Sequence, residues 1–297
     1  MAGPNALSLH AALTPRHGAA FKPLAGTRIV SLALNLPGPA ALARLRALGA
    51  DVLKVEPPAG DPMAHMCAPL YRAMHRGIER RTLDLKQADG RAALLAELAG
   101  ADLLLTSFRP SALRRLGVDA RSLGAVLPRL STLAIVGARG RGAELAGHDL
   151  TYQAASGLLD TPQLPATLLA DMSGALQVVE AALAALLQAS RSGAGVALQV
   201  ALTEAAAFAA APRTAGLTAP GALLGGALPG YAVYRCRDGL VALAALEQHF
   251  AAALLSHTGS ASTRGLRAWC ARHDAAALQQ LASRDDLPLW AWRTAAD

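Results

Sequence analysis

The sequence contains an imidazole and a carboxylate that could move protons near neutral pH. His148 stands in Gly147-His148-Asp149, and Asp171 follows His148 by 23 residues. These two side-chain types are among those most often used for proton transfer in enzymes, and each lies at the start of a predicted helix. The pattern therefore predicts an acid/base pair. Taken singly, each residue is also typical of a helix cap.

The segments around this pair predict repeated strand–helix–strand units. Residues 28–34 are typical of a buried strand, residues 40–48 of a helix and residues 51–56 of a second strand. Alternating strands and helices continue up to a strand at residues 196–202. This alternation predicts an α/β fold with a doubly wound, Rossmann-like parallel sheet, in which ligands bind at the carboxyl ends of the strands.

A change in composition predicts where a second domain begins. Residues 216–230 are rich in Gly, Ala, Leu and Pro, which favours a linker. Beyond them Asp238-Gly239 separates two apolar runs and predicts an antiparallel hairpin, followed by helices. We therefore expect a large Rossmann-like domain over residues 1–215, a linker over 216–230 and a smaller α+β domain over 231–297.

Composition excludes several classes of function. The net charge of +7 comes from basic residues spread along the chain, and only 4% of residues are aromatic, so we expect no nucleic-acid partner. A small molecule carrying several phosphates would also be attracted by this charge. No apolar run reaches the roughly 20 residues of a membrane span. The N-terminus lacks the pattern of a secretory leader, so we expect a cytoplasmic protein.

Cofactor motifs are scarce. The three cysteines are scattered without a CxxC pair, so no metal site is predicted. The glycines after the first strand do not form GxGxxG, which argues against a nicotinamide or flavin dinucleotide.

A series of short motifs runs in order through residues 22–293. They are Pro37-Gly38-Pro39, the segment 48–57, Leu83-Asp84-Leu85-Lys86, Phe108-Arg109-Pro110, Pro128-Arg129-Leu130, Gly147-His148-Asp149-Leu150-Thr151-Tyr152, Ala170-Asp171 and Ala245-Leu246-Glu247. Together they resemble the family III CoA-transferases, and within that family the α-methylacyl-CoA racemase branch, because transferases usually lack the His.

The resemblance implies both a mechanism and a set of site residues. Asp171 and His148 would stand on opposite sides of the α-carbon of an acyl-CoA thioester, with Glu247 hydrogen-bonded to the imidazole. Arg109, Arg115 and Arg76 would bind the CoA moiety. Coenzyme A would enter as part of the substrate, with no bound prosthetic group, and the protein would be a homodimer.

Two other functions stay open. In a CoA-transferase, Asp171 would attack the thioester and carry the acyl group. A paralogue without turnover is the third reading, because Ile78 and Glu79 stand where family members carry cations. The resemblance also places the end of this chain before that of a typical member, whose final segment helps two subunits interlock; the small domain is therefore expected to be truncated.

Overall fold

The computed structural model describes residues 21–294 and divides into two compact units, with the boundary between Ala210 and Ala211. The segment on which the expectation of no secretory leader rests lies outside the described residues. The predicted boundary was at residue 215, and the predicted linker, which contains a short helical turn at Leu223–Ala227, falls in the second unit.

The first unit is a parallel α/β sheet with helices on both faces. Its elements are β1 (Arg28–Ser31), α1 (Pro37–Ala47), β2 (Asp51–Glu56), α2 (Met63–Met66), α3 (Ala68–Met74), β3 (Glu79–Thr82), α4 (Ala88–Leu98), β4 (Leu103–Thr106), α5 (Pro110–Leu116), α6 (Ala120–Val126), β5 (Ser131–Val136), α7 (Asp149–Ala155), α8 (Leu169–Ser192), β6 (Ala197–Ala201) and α9 (Leu202–Thr214), which continues into the second unit.

The strand order is β3-β2-β1-β4-β5-β6, and every pair is parallel. This confirms the predicted doubly wound sheet. The order reverses between β1 and β4, which is the position where such sheets open a ligand-binding crevice.

Alternation along the central strands explains the two cores. Ile29 and Leu103 point into the cluster that contains α1 and α8, whereas the next residues, Val30 and Leu104, point into the cluster that contains α4 and α5. A strand covered on both faces must be apolar throughout. The edge strand β3 is instead exposed, with the sequence Glu-Arg-Arg-Thr. It lies just before the matched motif Leu83-Asp84-Leu85-Lys86.

Helix α8 is the longest element and the main support of the site. Among the described helices, it is the one that is long and apolar enough to cross a membrane, judged by length and composition alone. Its buried side includes Ala175, Val178 and Ala182, which belong to the core cluster shared with α1. Gly174 lets α9 approach, because a Cβ there would lie 2.3 Å from Leu202 Cδ2.

The second unit is a small α+β domain, which confirms the predicted change to antiparallel structure. Its elements are β7 (Tyr231–Cys236), β8 (Gly239–Ala244), α10 (Gln248–Thr258), α11 (Thr263–Ala271), α12 (Ala275–Arg284) and β9 (Leu289–Arg293). β7 and β8 form the expected hairpin around Arg237-Asp238, but β9 pairs with β8 where only helices were expected. Gly239 has a second role, because a Cβ there would lie 2.1 Å from Trp292 O on β9.

Candidate active site

A cavity of about 240 Å³ opens at the carboxyl ends of β1, β4 and β5, where the strand order reverses. Both His148 and Asp171 line it, so the structure brings the predicted acid/base pair to one cavity. Its other polar lining side chains are Asn35, Ser107, Arg109 and Tyr152. Apolar walls come from Leu34, Ile135, Val136, Leu145 and Leu202.

His148 is held by its backbone and leaves its side chain exposed. It is the N-cap of α7, and its N–H donates to Thr151 Oγ1 at 3.1 Å. The preceding glycine is required by Tyr152, because a Cβ on Gly147 would lie 2.6 Å from the tyrosine ring. Gly137, just after β5, is required for the same reason, because a Cβ there would lie 2.5 Å from the Tyr152 hydroxyl. The two glycines therefore leave room for the Tyr152 side chain.

Asp171 lies in the first turn of α8, and its backbone is fixed by a second carboxylate. Its N–H donates to Asp149 Oδ1 at 2.9 Å, while Gln153 Nε2 donates to Asp149 Oδ2 at 2.5 Å. Asp149 is only 3% exposed. Its carboxylate therefore supplies an acceptor for a first-turn amide of α8, a group that has no partner within the helix. The residue after the predicted His thus has a role that sequence reasoning did not assign.

The same surroundings change the pKa of the Asp171 carboxyl group. Burial raises the pKa of Asp171 to about 7, and the negative charge of nearby Asp149 adds to the shift. The start of a helix by itself favours a carboxylate anion. In the structure, loss of solvent and a like charge outweigh the helix dipole, since both disfavour the ionised form. A carboxyl with this pKa is suited to exchange protons near neutral pH.

Glu247, the third predicted catalytic residue, lies in the second unit as the N-cap of α10. Its predicted contact with the imidazole of His148 therefore stays a prediction.

A larger cavity of about 1080 Å³ lies at the ends of β1, β2 and β4. Arg109 and Arg115 line it, and Arg109 also lines the smaller cavity, so this residue stands where the two cavities adjoin. Lys86 and Arg91 are two further lining cations that sequence reasoning did not assign, although Lys86 belongs to a matched motif. Guanidinium and ammonium groups suit phosphates.

Arg76 lines neither of these cavities and lies in the exposed turn after α3. The neighbouring departures from the family pattern have local explanations. Ile78 is buried in the core, and the carboxylate of Glu79 pairs with Arg81 at 3.0 Å. The cations expected at residues 78 and 79 are therefore replaced by a core residue and an edge-strand ion pair.

A buried charged cluster surrounds Lys54 beside these cavities. Its Nζ is hydrogen-bonded to Asp61, lies 2.8 Å from His75 Nε2 and lies 3.2 Å from Glu56 Oε1. Glu56, Asp61 and His75 have the ligand types of a metal site and lie close enough together for one. The ammonium group already occupies the cation position between them, and it lowers the pKa of His75 together with burial, which is the larger cause. We interpret this cluster as a structural ion-pair network.

Comparison with known proteins identifies the class that this fold and site define. A family model described as CoA-transferase family III matches residues 24–297, so the chain belongs to CoA-transferase family III. It is 33% identical over 205 residues to a succinate–glutarate CoA-transferase of Agrobacterium fabrum, covering 61% of this chain and 51% of that protein. It is 32% identical over 254 residues to the α-methylacyl-CoA racemase of Mus musculus, covering 80% of this chain and 65% of that protein.

Solved structures agree with this assignment. A CAIB/BAIF family protein from Brucella suis superposes with a TM-score of 0.79 at 26% identity, covering 92% of this chain and 84% of that one. The matches to the two curated relatives above cover only 51% and 65% of their lengths, and these relatives carry out two different reactions according to their names. The comparisons thus establish the family and leave two reactions open.

Proposed function

We propose that the protein is an acyl-CoA racemase or epimerase that inverts the α-carbon of a 2-methyl-branched acyl-CoA. The observation that carries this proposal is that His148 and Asp171 line one 240 Å³ cavity, with the pKa of Asp171 raised to about 7. A proton donor and a proton acceptor on one small cavity are what an inversion by proton transfer requires.

In this reaction one proton is removed from the substrate and one is returned to it. Ionised Asp171 removes the α-proton, and the C–H electron pair moves into the thioester to give an enolate. Protonated His148 then delivers its proton to the opposite face of the α-carbon. The enzyme is left with protonated Asp171 and neutral His148, which is the form needed to convert the other enantiomer back, and solvent can restore the first form.

The larger cavity supports the acyl-CoA class of substrate. Its lining cations, Lys86, Arg91, Arg109 and Arg115, would bind the phosphates of the CoA nucleotide, and Arg109 would mark the passage toward the acid/base pair. No prosthetic group enters this mechanism, and CoA is carried by the substrate. Glu247 would orient the His148 imidazole, as the family resemblance implies.

A homodimer and a cytoplasmic location complete the proposal. The outer side of α8 presents Leu176 (54% exposed), Leu183 (37%) and Leu187 (52%). Apolar side chains repeated along one helix in this way are typical of a face that packs against another helix. We propose that this face is covered in an assembly of two copies.

A CoA-transferase is the second candidate, because the Agrobacterium relative bears that name. In that reaction Asp171 would attack the thioester carbonyl, release CoA as the leaving group and carry the acyl group as a mixed anhydride. Both reactions start from the ionised carboxylate of Asp171, so a pKa of about 7 does not distinguish them. His148 lines the same cavity and has no part in the nucleophilic attack, and its presence favours proton transfer.

The test is incubation with a (2R)-2-methylacyl-CoA in deuterated water, followed by NMR of the α-position. In the wild-type protein we expect deuterium uptake together with loss of chirality at the α-carbon. In His148→Gln and Asp171→Asn we expect neither. Transfer of CoA to an added carboxylic acid without α-exchange would overturn the racemase in favour of the transferase. Absence of both reactions in the folded protein would leave the non-catalytic reading.

A further inference from the structure

Resting on the proposed function, we propose that Asn35 is a further catalytic residue, whose side-chain amide donates a hydrogen bond to the thioester oxygen as the enolate forms. Removal of the α-proton places negative charge on this oxygen, so the site needs a donor there. The structure allows the possible donors to be compared one by one.

A backbone amide at a helix start could serve as this donor, but the one beside Asp171 is already engaged. The amide at the start of α8, Asp171 N–H, donates to Asp149 Oδ1 at 2.9 Å. Arg109 stands where the two cavities adjoin, a position suited to CoA. The Tyr152 hydroxyl lies near Asp171, whose charge contributes to its raised pKa, so it faces the proton-transfer group.

Asn35 is an uncommitted amide donor on the cavity wall. Its side chain is exposed and lines the cavity, and among the described residues no hydrogen bond uses its side-chain amide. Asn35 has a φ of 66°, and apart from Asp286 no other described non-glycine residue has a positive φ. Asn tolerates this conformation better than most residues, and such positions cluster at functional sites.

The backbone around Asn35 is fixed by side chains at each step. Ala33 N–H donates to Ser31 Oγ at 3.1 Å, Leu34 N–H to Ser107 Oγ at 3.1 Å, and Asn35 N–H to Asp61 Oδ1 at 3.1 Å. Three consecutive amides are thus held by side-chain oxygens. The turn cannot shift without breaking them, so the Asn35 side chain is presented from a rigid support, as preorganised stabilisation requires.

The buried cluster around Lys54 helps to hold the Asn35 turn. Asp61 is fully buried and hydrogen-bonded to Lys54, and its other oxygen holds Asn35 N–H and also Met63 N–H at 2.9 Å. Lys54 and Asp61 are therefore positioning residues for Asn35. A buried ion pair adds little net stability by itself. Here it keeps the Asp61 carboxylate in place as a hydrogen-bond acceptor that is shielded from water.

The test compares two substitutions at positive-φ positions in the α-exchange assay. Asn35→Gly keeps the backbone conformation accessible and removes the amide, and Asp286→Gly makes the same kind of change in the second unit. We expect Asn35→Gly to lower kcat by about 10²-fold with KM within about threefold, as for loss of one oxyanion donor. Asp286→Gly should keep the wild-type kcat. Asn35→Asp, which keeps the shape and removes the donor, should lose at least as much as Asn35→Gly.

The possible outcomes separate this inference from the proposed function. If wild type exchanges the α-proton and both Asn35 variants retain its kcat, the assignment of Asn35 is overturned while the racemase stands. If Tyr152→Phe loses kcat and the Asn35 variants do not, the tyrosine is the oxyanion donor instead. If wild type shows no exchange, the proposed function itself fails. Circular dichroism of each variant identifies any loss of fold.

Discussion

The two groups of buried charges in the first unit are built in opposite ways. Around Lys54, the ammonium has two carboxylates and an imidazole within hydrogen-bond or ion-pair distance. Around Asp171, two carboxyl groups lie near one another, and among the described residues none of the ion pairs includes Asp171 or Asp149. In the first group the cation is paired with carboxylates, whereas the second group keeps an unfavourable charge interaction in the folded protein.

This difference fits a structural role for the Lys54 group and a chemical role for the Asp171 group. A cluster of paired opposite charges can hold a turn in place. A carboxyl group that is buried and lies beside a like charge has a raised pKa, and that of Asp171 is about 7, so it gains or loses a proton close to neutral pH. The fold thus uses buried charge both to fix the Asn35 turn and to prepare Asp171.

The largest effect is expected from Asp171→Asn. Loss of the proton acceptor should lower α-proton exchange by about 10³-fold or more, yet the folded protein should not be weakened, since the buried charge disappears. Exchange kinetics and thermal unfolding at pH 8 check the two halves. A variant that is inactive because it is unfolded would contradict the comparison, whereas an active variant would remove Asp171 from the mechanism.

Substitution of Lys54 should cost the most stability. Lys54→Met leaves Asp61 buried without its cation, which costs about 3–5 kcal/mol of unfolding free energy. Urea denaturation measures this cost, with Lys22→Met as the control, because Lys22 is exposed. A loss as small as that of the control would show that the cluster is not a structural support.

The pH dependence of wild type should follow the Asp171 carboxyl. Its pKa of about 7 lies above that of the unfolded chain, so the folded state binds the proton more tightly. Stability should therefore fall as pH rises from about 4 to about 7, by on the order of 1–2 kcal/mol after allowing for solvent screening. Asp171→Asn should lack this component. Abstraction by Asp171 should increase with pH over the range in which it ionises, up to about pH 8.

An exposed ion pair gives the smallest effect. Arg139 Nε lies 2.5 Å from Glu204 Oε1, and both side chains are about half exposed or more, at 60% and 49%. Water screens such a pair. Arg139→Gln should shift the unfolding midpoint by less than about 2 °C. A shift comparable with that of Lys54→Met would mean that burial does not distinguish the two pairs.

Much of this protein could be predicted from local patterns. Uninterrupted apolar strands alternating with helices predicted the parallel sheet, and Asp238-Gly239 predicted the hairpin. The edge strand β3 was missed because its sequence, Glu-Arg-Arg-Thr, carries no apolar signal. Strand β9 was missed because its pairing with β8 involves residues about 50 positions apart, a contact that no local pattern encodes.

Residue types and the order of motifs are local properties, so they were enough to predict the family, the fold class and the identities of His148 and Asp171. Three other facts became evident only in the folded chain: both residues line one cavity, Asp149 lies near the Asp171 carboxyl and binds its backbone amide, and Asp61 holds the Asn35 turn. These facts depend on which groups are buried beside one another when the chain folds. Burial and charge proximity arise from chain segments that are distant in sequence, so the pKa of Asp171 is a property of the fold.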